Sequence, residues 1–210
     1  GKGLPIKWNK VVNLVDSGNL ELPSNCYRLV TKERIPTMIV THWDVALSAS
    51  SCYKSLKNKG ISSHFASDND GTIYQMVDTQ NIAWHAGNRG VNNTSIGIDF
   101  SNAYYTKYQK YYEKKGFGSR PVLGDSKVHG RTLKEHLGYY PVQIEAYKAL
   151  VKCLSEHYDI PLVCPLDNNG DLLTTVHPPS KKANWHGVVS HYNLTDGKID
   201  CAGLPLEQIL

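Results

Sequence analysis

The 210-residue chain contains no apolar run near the roughly 18 residues that a membrane-spanning helix needs. Its opening stretch, GKGLPIKWNK, lacks the apolar core of a signal peptide. Membrane insertion is therefore not expected. Several familiar catalytic signatures are missing as well: there is no H-E-x-x-H helix, C-x-x-C pair, G-x-S-x-G elbow, G-x-x-x-x-G-K phosphate loop or zinc deaminase signature. No internal repeat and no low-complexity tract is present.

Charge of one sign is also scarce, with a formal net charge of +4. That excess gives a mild attraction to polyanions but does not choose among nucleic acid, anionic lipid and bacterial wall polymers. Hydrophobic residues make up 40% and charged residues 20%, the balance of an ordinary globular chain with one conventional core. The length favours a single domain, 1–210. Five cysteines, an odd number at irregular spacing, read as reduced and mostly buried thiols, with one available for chemistry.

Secondary-structure signals alternate in type along the chain. PTMIVTHWD has a β-rich run at Met38–Thr41 that ends on His42. Residues Ala46–Gly60 carry apolar side chains at helical spacing, with Gly60 as a C-cap. Ser62–Val77 reads as a β-hairpin turning at Asn69-Asp70-Gly71. After a Gly/Asn-rich loop, Ser95–Phe100 is a buried strand carrying Asp99. A Tyr/Lys-rich stretch at about 104–140 mixes weak helical periodicity with Gly/Pro breaks, as an insertion lying over the surface would. From Pro141 an amphipathic pattern predicts the longest helix. The order is a mixed α/β one.

Catalytic zinc sites use three protein ligands drawn from His, Cys, Asp and Glu. His42, His191 and Cys201 fit that count, and both histidines follow short β-type runs, MIVT and VVS, whose ends converge on one mouth of a sheet. With nine histidines in the chain, spacing alone leaves a metal site and ordinary polar residues equally open.

THWD, SHFASDNDGTIYQMV, AWHAGNRGVNNTSIGIDF and SHYNLTDGKIDCAG occur in the order, and at roughly the spacing, of another group of proteins. The series resembles the zinc-dependent N-acetylmuramoyl-L-alanine amidases of the amidase-2 and peptidoglycan recognition protein family, which includes phage lysins. The resemblance runs from about Thr37 to about Gly203 and implies an α/β fold, a central mixed sheet flanked by helices, with a zinc cleft at one end of the strands. It further implies Zn2+ held by His42, His191 and Cys201. Asp99 stands where recycling amidases carry a catalytic glutamate; the tyrosine used by lysins and recognition proteins is replaced here by Ser63. Asp is one methylene shorter than Glu, so a bridging water is expected to complete the proton path.

Lys198 resembles a lysine that the family places two residues before its third ligand, where it stabilises an oxyanion. It stands three before Cys201, so either the loop bulges or Lys198 is a solvated charge. His85 falls where the family lines its substrate groove, with groove lining and structural hydrogen bonding both open, and Trp84 beside it reads as core. His64 lies close to the cleft as a substrate-side or hydrogen-bonded residue. His129, His136, His157, His177 and His186 read as surface or loop residues. The tyrosines around 104–112 either stack on sugar rings or cover a helix face.

The implied activity is hydrolysis of the amide between N-acetylmuramic acid and L-alanine in peptidoglycan, by a monomer acting at the bacterial cell wall without a nucleic-acid partner. The alternatives are a non-catalytic peptidoglycan-binding module and a zinc peptidase acting on stem peptides.

Overall fold

A computed structural model describes residues 3–210; residues 1 and 2 of the expected domain lie outside the described part. A six-stranded mixed sheet forms the centre, in the spatial order Val11–Val12, Ile73–Gln75, Phe65–Ser67, Ser95–Phe100, Met38–Trp43, Gly187–Ser190. The last four run parallel, and Ile73–Gln75 lies antiparallel to Phe65–Ser67 as the arm of the expected hairpin. Gly71, at φ 82°, supplies the left-handed residue that this hairpin's turn requires.

Strand alternation explains the two faces. In SIGIDF, Ile96, Ile98 and Phe100 enter the main core with Ile39, Phe65 and Val188, while Ser95, Gly97 and Asp99 project to the other face. The main core is closed by the helix Pro141–Tyr158, the longest of the described residues, which contributes Ala146, Tyr147, Leu150 and Leu154. Truncating one of these leucines to alanine would cost about 2–5 kcal/mol. On the opposite face Met38, Val40 and Val189 pack with Ala86 and Val91, the latter in the short helix Arg89–Thr94. The helix Ala49–Lys59 begins at the Ser48 cap, which accepts from the Ser51 amide, and ends at Gly60 with φ 69°.

The 104–140 segment departs from the expected surface cover. It contains a helix, Gln109–Lys114, and two small antiparallel ribbons, and it buries Tyr112, Arg120, His136, Leu137, Tyr139 and Tyr140. Arg120 is 2% exposed and sits between the Tyr112 and Tyr140 rings, 4.4 and 4.3 Å from their centroids. Its guanidinium donates to the carbonyls of Gly138 and Ser101 and to the side chains of Gln143 and Asn69. Only its Nε–H lacks a partner, and a buried cation persists only where most of its donors are met in this way. The segment is thus bolted to the sheet and the long helix. His136, expected at the surface, is buried and bonds Ser126 Oγ at 2.8 Å.

All five cysteines are free, and four of them are buried. Among the described residues no helix is long and apolar enough to cross a membrane.

Candidate active site

Parallel strands deliver the site. The register pairs His42 with Asp99 and Thr41 with Ser190, so His42, Asp99 and His191 emerge together at the carboxyl ends of three adjacent strands. Open α/β sheets place their ligand crevices at this edge. Beyond His42 the chain turns sharply at Val45, a β-branched residue at φ 51°, and such outliers persist where neighbours over-determine them. Here the Asp44 carboxylate accepts from the backbone amides of Ala46 and Asn102 and from Ser101 Oγ.

His42 Nδ1, His191 Nδ1 and Asp200 Oδ2 converge. The two nitrogens lie 3.0 Å apart and each is 3.3 Å from the oxygen. All three residues are buried. A tetrahedral ion with bonds of about 2.0–2.1 Å sets ligand-to-ligand edges of about 3.3–3.4 Å, so this near-equilateral triangle fits such an ion. Two imidazoles and one carboxylate are also a donor set that zinc accepts. Burial alone would raise the Asp200 carboxyl, but the adjoining His191 and His42 imidazoles hold it well below the usual range. Burial pushes His42 down, toward its neutral, metal-binding form.

Cys201 was the expected third member of this set, and the structure puts Asp200 there instead. Cys201 is fully buried in the main hydrophobic core, its thiol pushed well up by burial and the nearby Asp200 charge. Asp200 is pinned to the histidine side by its carbonyl, which accepts from the Tyr192 amide at 2.9 Å. Neighbouring side chains leave the backbone in divergent directions, so only one of the two can face the cleft. Lys198, exposed on the cleft wall, then stands two residues before the inward carboxylate, and no bulge is needed to restore the expected spacing.

The cleft, of about 430 Å³, is lined by His42, Asp99, His191 and Asp200 on its floor, with Trp84, Lys198 and Tyr105 on its walls. Trp84, read from the sequence as core, is 36% exposed and opens to this cleft. Asp99 is buried and accepts from Cys52 Sγ at 3.8 Å. Burial and the Asp44 and Asp200 carboxylates push its carboxyl well above the usual range, toward the protonated form. His85 borders the cleft and contacts His42 edge-on, with ring centroids 5.0 Å apart.

His64 does not reach the cleft. It is fully buried; its Nδ1 accepts from the Gly97 amide at 3.0 Å, and its Nε2 faces the Asn81 carbonyl at 2.8 Å. Burial first, and then the Arg34 charge, lower its pKa to about 3. Between about pH 6.5 and 3 the unfolded chain therefore binds a proton that the folded chain refuses. The stability this neutral histidine contributes is complete above about 6.5 and lost as pH falls toward 3, at about 1.4 kcal/mol per pH unit. Urea melts at pH 7, 5 and 4 should show this slope, and His64→Gln should flatten it.

The family model described as N-acetylmuramoyl-L-alanine amidase matches residues 32–200. Among solved structures, the chain is similar to AmpDh3 from Pseudomonas aeruginosa, determined in complex with an anhydromuramic pentapeptide. The two share 20% identity and a TM-score of 0.52, covering 90% of this chain and 65% of that one. The Staphylococcus aureus hydrolase AmiA, in complex with its ligand, aligns at 12% identity and TM-score 0.50 over 90% of this chain and 69% of that one. AmiD of E. coli aligns at 25% identity and TM-score 0.43 over 64% of this chain, which spans about half of AmiD, 48% of its length. The likenesses to AmpDh3 and AmiA bear on the fold alone. No curated protein matches the chain.

Proposed function

We propose, for a chain that belongs to the N-acetylmuramoyl-L-alanine amidase family, that it cleaves the amide between the lactyl group of N-acetylmuramic acid and L-alanine with a zinc ion held by His42, His191 and Asp200. The observation that carries the metal assignment is the buried triangle of two imidazole nitrogens and one carboxylate oxygen with edges of 3.0–3.3 Å. When bound, zinc supplies a Lewis acid for the scissile carbonyl and an acidified water, its pKa brought from near 16 toward about 7.

The chain's own groups do the rest. Asp99, at the strand end beside His42, moves the proton: as the acid it gives its proton to the leaving α-amine of alanine and, once a carboxylate, takes one back from the hydroxyl that the water has added to the carbonyl. A raised carboxyl pKa suits that role, because it favours the protonated acid that the leaving amine needs. A water bridges Asp99 to the substrate, making up for the methylene it lacks relative to glutamate. Lys198, on the exposed wall, places its ammonium beside the developing oxyanion. Trp84 and Tyr105 offer aromatic faces with polar edges on which sugar or peptide can lie. Cell-wall lysis of the endolysin kind is the role this chemistry fits.

Purified sacculi test the reading. Incubation with the protein should release glycan strands carrying free lactyl carboxyls together with intact stem peptides that begin with L-alanine, and dipicolinate should stop the release until zinc is restored. Cut stem peptides would instead identify a peptidase, and binding without any release a recognition module.

A further inference from the structure

We infer that His85 is a positioning residue for the metal site: with Ser95 it fixes His42 in the tautomer whose proton is on Nε2, leaving the Nδ1 lone pair aimed at Asp200 and His191. The inference rests on the zinc reading above and concerns how the chain prepares a ligand before any ion arrives.

A hydrogen-bond chain runs from Val91 through Ser95 and His85 to His42. Ser95 Oγ lies 2.6 Å from the Val91 carbonyl oxygen. Two oxygens that close must share a proton, and a carbonyl has none, so the serine hydroxyl donates to Val91. Its single proton is then used, and Ser95 Oγ can only accept from His85 Nε2, 3.0 Å away. His85 therefore carries its proton on Nε2. Its two ring nitrogens meet only Ser95 Oγ and His42 Nε2, and no carboxylate is in reach to hold a second proton on the ring. Its Nδ1 is left as an acceptor 2.8 Å from His42 Nε2, so His42 must donate there, and His42 Nδ1 is unprotonated. That nitrogen is one corner of the metal triangle.

The strand is shaped to accept this ring. A Cβ at Gly97 would lie 2.7 Å from His85 Cγ and 2.8 Å from His85 Nδ1, closer than real Cβ contacts come. Glycine at 97 and serine at 95, both on the face of SIGIDF away from the core, are thus the seat and the anchor of one imidazole. The orientation of a ligating histidine by its other ring nitrogen usually falls to a carboxylate or a carbonyl; here a second neutral histidine does it.

The test combines metal affinity with a direct view of the tautomer. In the zinc-free wild-type protein, nitrogen-15 NMR of the His42 ring should show protonated Nε2 and unprotonated Nδ1; the reverse pattern overturns the inference whether or not the protein proves to need zinc. In competition titrations, His85→Leu should weaken zinc binding about 10–100-fold. Ser95→Ala should weaken it in the same direction by less, and His85→Gln, which offers a carbonyl to His42, should recover part of the loss. A folded His85→Leu protein that keeps wild-type zinc affinity and changes only KM would make His85 a substrate contact and overturn the positioning role. Wild-type protein that binds no zinc, yet shows the expected tautomer, would instead count against the zinc reading alone.

Discussion

Asp200→Asn is expected to empty the site of zinc and lower amidase turnover by roughly 10³-fold or more, since a Lewis acid contributes several kcal/mol to the barrier. An amide at this position keeps the size of the side chain but loses the charge that faces His42 and His191 across 3.3 Å. The companion variant should behave in the opposite way. Cys201→Ser should retain stoichiometric zinc and near wild-type turnover while losing about 1–3 kcal/mol of stability, because it puts a hydroxyl into a wholly buried apolar setting. Zinc content by elemental analysis, read beside a thermal melt, separates the two. Loss of zinc in Cys201→Ser, with zinc retained in Asp200→Asn, would reverse the assignment.

Asp99→Asn is expected to cost about 10²–10⁴-fold in kcat, the range for removing a positioned proton-transfer group, with zinc content and KM little changed. Folding should survive, because an asparagine closely imitates a protonated carboxylic acid, the form that burial favours here. The pH profile adds a signature. As the acid that returns a proton to the leaving amine, Asp99 works below its raised pKa, so wild-type kcat should fall as pH climbs through that value. The residual activity of Asp99→Asn should lack this basic limb. Asp99→Glu lengthens the reach by one methylene and should keep more activity than Asp99→Asn. A loss of less than tenfold in Asp99→Asn would move the proton transfer to another group.

Much of the fold was readable along the chain because periodicity is a local property. The alternation in Ser95–Phe100 marks a strand with two faces, and the spacing after Pro141 marks a helix with one apolar stripe; both form where expected. Gly60 and Gly71 sit at positive φ, where only the absence of a side chain makes the turn inexpensive. His42 and His191 could be found the same way, since each ends a short apolar run and parallel strands bring such ends to one edge.

Other features depended on groups distant in sequence. Arg120 looked like one more charge in a Tyr/Lys-rich insertion, yet its acceptors come from Asn69, Ser101, Gly138 and Gln143. His136 and His64 are buried for the same reason: their partners lie on other elements or across a turn. Trp84 was misplaced because its exposure depends on what is absent above it, namely the open cleft.

By itself the sequence determined the α/β order, the two histidines, the strand aspartate and the resemblance to an amidase family, all carried by short-range pattern and motif order. Only the tertiary structure decided between Asp200 and Cys201. The two are adjacent, both can bind zinc, and motif spacing does not say which way each side chain points. That direction is set by the Tyr192–Asp200 backbone hydrogen bond and by the core that encloses the thiol. Once the carboxylate is the inward member, Lys198 falls two residues before it.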